Sequence, residues 1–81
     1  MKLKDIEDKL VKQLAAIISL PAVKVKPQVP LHELGVDSLS FVELLVFIEK
    51  EFKIKLMESG ITRNDFKTLH SLAERINKIR G

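Results

Sequence analysis

Apolar residues recur along the first part of the chain at spacings of three and four: Leu3, Ile6, Leu10, Leu14, Ile17 and Ile18. That period lays them on one face of a helix, with Lys4, Glu7, Asp8 and Lys12 on the other, and predicts a helix over 3–18. From Ser19 to Val36 the pattern breaks. All three prolines, Pro21, Pro27 and Pro30, fall in this stretch, and each lacks a backbone donor. Val23 and Val25 alternate with Lys24 and Lys26 as a strand would. Prolines this close would spoil a central strand, so an extended loop is expected instead. A loop this long in so short a chain is unusual and points to function.

Periodicity resumes at Ser38. Gly35 supplies a turn, Asp37 or Ser38 can cap, and Ser38 to Phe52 reads as a second helix. Lys53-Ile54-Lys55-Leu56 alternates briefly before Ser59-Gly60 breaks the chain. Thr62-Arg63-Asn64-Asp65 fits a capping-box variant, predicting one short turn of helix that buries Ile61 and Phe66. Thr68 can cap a last helix, whose Leu69, Leu72, Ala73, Ile76 and Ile79 form one stripe. Lys78 and Arg80 fall at its C-terminal end, where positive charge suits the helix dipole. The expected fold class is all-α, a bundle of three main helices plus one short helix. A long loop separates the first two helices, and a single domain spans 1–81.

The second helix is apolar on two sides. Stepping about 100° per residue from Ser38 groups Phe41, Leu44, Leu45, Ile48 and Phe52 on one side, the expected core face. Leu39, Val42 and Val46 form a second stripe, bordered by Glu43 and Lys50 on one flank and Glu49 on the other. Either both stripes are buried, or the second is a docking surface rimmed by acids. The pattern alone leaves both open.

Composition narrows the classes. With 81 residues one domain is expected, and with no cysteine neither disulfides nor thiolate metal sites can support it. Hydrophobic residues make up 46% and charged residues 31%, a balance that argues against disorder. No apolar run is long enough for a membrane span, and Met1-Lys2-Leu3-Lys4-Asp5 lacks the apolar stretch of a signal peptide, so a cytoplasmic protein is expected. The net charge is +3, yet Asp37, Glu43, Glu49 and Glu51 against Lys50 make residues 37–52 acidic. A basic chain has kept one acidic segment.

Ser38 stands at the start of a helix, ordinarily the place of a cap. The same place presents backbone N–H groups and the positive end of the helix dipole, where a phosphodiester on the hydroxyl would be tolerated. Leu34-Gly35-Val36-Asp37-Ser38-Leu39 resembles the Leu-Gly-x-Asp-Ser-Leu attachment motif of acyl carrier proteins. Val42-Glu43-Leu44 and Glu49-x-Glu51-Phe52 follow at that family's spacings, and the order of helices and loop matches as well. The resemblance implies that a phosphopantetheinyl transferase moves 4′-phosphopantetheine from coenzyme A onto Ser38. The arm's thiol would then hold acyl groups as thioesters for acyl-transferring and acyl-elongating enzymes of fatty acid, lipid or polyketide synthesis. By the same analogy Asp37 helps position the magnesium-bound coenzyme, and Leu39, Val42, Glu43, Val46 and Glu49 contact partners. A sheltered acyl chain would be lined by Phe41, Leu44, Leu45, Ile61 and Ile76.

The chain departs from the family pattern in several places. It is basic where members are usually acidic, Lys50 interrupts the acidic run, and Lys53 and Lys55 follow. Met57-Glu58 replaces a common proline, and Phe47 is bulkier than the residue usual there, at an angle away from both stripes. These changes leave the attachment chemistry intact and favour a specialised carrier over a housekeeping one. Peptidyl carriers more often show a Gly-Gly pair before the serine, so the motif reads as an acyl or polyketide type. The protein is expected to be a monomer.

Other classes fit less well. A nucleic-acid binder should cluster its Lys and Arg or interleave them with exposed aromatics, whereas here they run from Lys2 to Arg80 without tyrosine or tryptophan. Ser38, His32 and His70 have no spacing that supports a nucleophile–base pair, so the chain is read as non-catalytic. The histidines read as surface residues, and no metal-ligand spacing occurs. The alternative is an unmodified helical adaptor that keeps the carrier fold without its arm.

Overall fold

The computed structural model describes residues 2–55 and 66–80. Three α-helices carry the architecture: α1 Leu3–Ile18, α2 Ser38–Phe52 and α3 Leu69–Arg80. The bounds of the first two coincide with the expected ones. The short turn expected around Thr62–Asp65, and Ile61 with it, lie outside the described residues.

Each helix buries the stripe its sequence period defines. Ile6, Leu10, Leu14 and Ala15 of α1 meet Leu44, Ile48 and Phe52 of α2 and Leu69, Leu72, Ala73 and Ile76 of α3. Most of these side chains have no exposed surface, and no polar or charged residue is buried among the described residues. Burying apolar area at about 25 cal/mol per Å² is what opposes chain entropy in a domain with no covalent cross-link. Phe47 packs beside this core, its ring edge-on to Phe52 at 6.3 Å. It therefore serves the α1–α2 seam, next to Lys9 and Lys12. Lys9 Nζ and Glu51 Oε2 bridge the same seam at 2.6 Å.

The connection from α1 to α2 corrects one expectation. It is not simply extended: Ala22–Lys24 and Leu31–Leu34 form 3-10 turns. Each follows a proline with extended ψ, Pro21 and Pro30, whose fixed φ and missing donor suit the position before a turn. Val25 is buried while Val23 is 75% exposed, so the alternation seen in the sequence records one anchor rather than a strand. Two bonds tie this connection to the start of α3. The Leu31 N–H donates to the Lys67 carbonyl at 2.9 Å and the His70 N–H to the Pro27 carbonyl at 3.0 Å.

Candidate functional site

The start of α2 is built by three neighbouring residues. Gly35 ends the second 3-10 turn with φ +89°, a left-handed conformation that costs other residues about 1–2 kcal/mol. Asp37 is the N-cap: its Oδ1 accepts from the Ser40 N–H at 2.8 Å. That backbone donor holds the Asp37 carboxyl below its usual range, so the carboxylate stays ionised. The sequence allowed either Asp37 or Ser38 as cap. With Asp37 in that role, Ser38 becomes the first residue of α2, and it is exposed.

Beside Ser38 lies an open, largely apolar cleft of about 440 Å³. Leu31, Val36 and the N-cap Asp37 line it from the connection, Ser38 and Phe41 from α2, and Phe66 and Lys67 from the chain entering α3. The Leu31–Lys67 backbone bond brings these distant segments together. Phe41 and Phe66 meet edge to face at 5.1 Å, both half-buried against the core. Of the described residues expected to line a sheltered chain, only Phe41 borders this cleft, and Ile61 lies outside the described residues. Leu44 and Ile76 are wholly buried and Leu45 packs against the core, so they belong to the bundle interior. No local sequence signal places Pro30, His32 or Lys67 near Ser38; their approach depends on long-range pairing.

The second stripe of α2 is exposed. Leu39 is 70%, Val42 52% and Val46 43% accessible, while Leu44 and Ile48 on the other side are sealed. Glu43 and Glu49 are exposed on its flanks, as are Lys50 and Lys53 toward its C-terminal end. The alternative of two buried stripes is thereby decided against. The histidines divide. His32 is at the surface, but His70 is half-buried, with Nδ1 2.7 Å from Glu7 Oε2 and Nε2 3.5 Å from Glu74 Oε1. The Glu7 bond raises the His70 pKa above its ordinary value, with burial opposing and the Glu74 charge assisting.

The phosphopantetheine attachment site family matches residues 8–76, nearly the whole chain, and the match spans both the cleft and the exposed serine. The chain belongs to that family. It is a carrier of the acyl carrier protein type. A relative, "Aminoacyl carrier protein 1" of Bradyrhizobium diazoefficiens, is 29% identical over 70 residues, covering 84% of this chain and 78% of the relative. No solved structure matches. The cofactor of such carriers is covalently attached 4′-phosphopantetheine. The described residues fit it: an exposed serine at a helix N-terminus suits a phosphodiester, and the adjoining apolar cleft gives an arm somewhere to lie. Among the described residues no group of His, Asp and Glu is arranged to hold a metal, and no helix is long and apolar enough to cross a membrane.

Proposed function

We propose that Ser38 carries the 4′-phosphopantetheine arm, that residues 1–81 act as one carrier domain, and that the protein presents thioester-bound acyl groups to partner enzymes. The observation that carries this reading is the position of Ser38. It is the exposed first residue of α2, beside the cleft and at the head of an exposed apolar stripe. A phosphopantetheinyl transferase would supply the arm from coenzyme A, with Asp37 helping to position the magnesium-bound coenzyme. The thiol at the end of that arm provides what this cysteine-free chain lacks. The protein itself performs no acyl chemistry; it holds the cargo and is read by others.

Leu39, Val42 and Val46 would form the centre of the contact with partners, with Glu43 and Glu49 selecting basic rims. Lys50 and Lys53 on the same helix end favour a restricted partner set, in keeping with a specialised carrier. Its cargo would belong to fatty acid, lipid or polyketide synthesis, and the relative's name adds aminoacyl groups to the classes worth testing. We place the carrier in the cytoplasm as a monomer.

Intact mass after incubation with coenzyme A, magnesium and a broad-specificity transferase tests the reading, with Ser38→Ala alongside. One pantetheine-sized gain, absent from the variant, is expected. No gain on folded protein would refute the carrier reading and favour an unmodified adaptor.

A further inference from the structure

The charges bordering the exposed stripe of α2 change sign along it. Glu43 and Lys50 stand on the same flank, two turns or about 10 Å apart along the helix axis. Both are exposed, and neither enters an ion pair among the described residues. The serine end of the helix carries Glu43 and the Asp37 carboxylate, which the Ser40 N–H keeps ionised. The far end carries Lys50 and, at the C-cap, Lys53, which is also exposed. Two acids share that end. Glu51 is paired with Lys9 across the α1–α2 seam at 2.6 Å, and Glu49 stands on the opposite flank with a partner within the chain. Round the helix from Lys50, Phe47 and Glu51 line a groove of about 270 Å³ with Lys9 and Lys12 of α1, and Lys12 is a further exposed cation there. A partner surface that is basic throughout would match the serine end and meet like charge at the far end.

We propose that this stripe accepts a bipolar protein partner. Apolar groups of that partner cover Leu39, Val42 and Val46, basic groups meet Asp37 and Glu43, and acidic groups about 10 Å further on meet Lys50 and Lys53. The inference rests on the reading that Ser38 carries the arm, and it names the partner chemistry that reading leaves open. Because Ser38 heads the stripe, the two sets of charges also orient the partner, its basic side toward the arm and its acidic side away from it. Lys50 and Lys53 act by exclusion as well as attraction. They turn away uniformly basic surfaces that the stripe and Glu43 would otherwise admit.

Three synthetic amphipathic helices with one shared apolar stripe test the inference. One carries arginine at one end of its stripe and glutamate two turns away; the others carry arginine at both ends or glutamate at both. Fluorescence anisotropy of each labelled peptide against the full chain, at low ionic strength, gives the relative affinities. The wild type is expected to bind the bipolar peptide about tenfold more tightly than either uniform one, since each uniform peptide exchanges exposed attractions for repulsions. Lys50→Glu combined with Lys53→Glu should move the preference to the all-arginine peptide, and Glu43→Lys should move it to the all-glutamate one. All three side chains are exposed, and circular dichroism checks that each variant is folded. A wild type that prefers the all-arginine peptide overturns the inference, as does one that binds all three alike or none. So do folded variants that leave the ranking unchanged. Loading is scored separately by intact mass: a chain that ranks the peptides as expected and gains no pantetheine refutes the carrier reading and not the surface.

Discussion

Replacing Glu7 by glutamine removes one charge from the clasp between α1 and α3 and keeps an oxygen that can accept from His70 Nδ1. In the folded protein His70 is faced by Glu7 from α1 and by Glu74 from its own helix, at 2.7 and 3.5 Å. Its folded pKa is raised, first by the Glu7 bond and then by the Glu74 charge. A raised histidine pKa means that folding takes up protons, so the clasp contributes fully below the unfolded value of about 6.5. The contribution fades as pH rises through the folded value. The histidine side chain is 38% exposed and that of Glu7 18%, so water screens much of the attraction. The charge is therefore worth at most about 1 kcal/mol, the upper end for accessible pairs. For a domain of this size that is about 4–8 °C in Tm. Thermal melts of wild type and Glu7→Gln at about pH 5.5 and about pH 8.5 isolate this effect, because other titrations cancel in the difference. Wild type should lead the variant at the lower pH, with the lead shrinking at the higher one. A lead equal at both values, or larger at the higher, would show that protonated His70 is not what joins these helices.

Two further substitutions probe the scaffold. Leu72→Ala removes a wholly buried side chain from the α3 stripe and should cost about 2–5 kcal/mol, enough to unfold much of the population at room temperature, read by denaturant titration. Gly35→Ala meets no atom within 4 Å, so its expected cost of about 1 kcal/mol comes from the left-handed φ and not from crowding. A melt unchanged from wild type would count against that account.

The helices and their buried faces were legible because a period of 3.6 with aliphatic residues leaves few alternatives. Thr68 is an example at finer grain. Its hydroxyl accepts from the Ser71 N–H at 3.0 Å, the cap its position in the sequence suggested. What escaped was everything set by distant pairing. The 3-10 turns at Ala22–Lys24 and Leu31–Leu34 carry no periodic signal, and their prolines argued only against strand and helix. Glu7 falls on the polar face of α1 and reads as solvated, yet α3 partly covers it and supplies His70. The cleft is the largest case. Its walls come from segments more than thirty residues apart, joined through the Leu31–Lys67 bond. Leu44, Leu45 and Ile76, expected to line a shelter between the helices, lie in or against the core, and the cleft itself had no local signal.

The exposed stripe of α2 also says something about how this chain divides its apolar residues. A chain of 81 residues has little core to spare, and leaving Leu39, Val42 and Val46 exposed adds little to its stability. Polar residues at those three positions would cost the fold little, since the opposite face of the helix supplies Leu44, Ile48 and Phe52 to the core. An apolar stripe kept in solvent, starting at Ser38 and edged by Glu43 and Glu49, is therefore better explained by contacts outside the chain than by contacts within it. The charge pattern points the same way. Within residues 37–52 Asp37, Glu43, Glu49 and Glu51 outweigh Lys50 in a protein that is basic overall, a local charge of the sign that would steer a basic partner. Stability is thus assigned to one side of α2, and the proposed recognition surface is the other, with the serine at the end of the helix where the two sides meet.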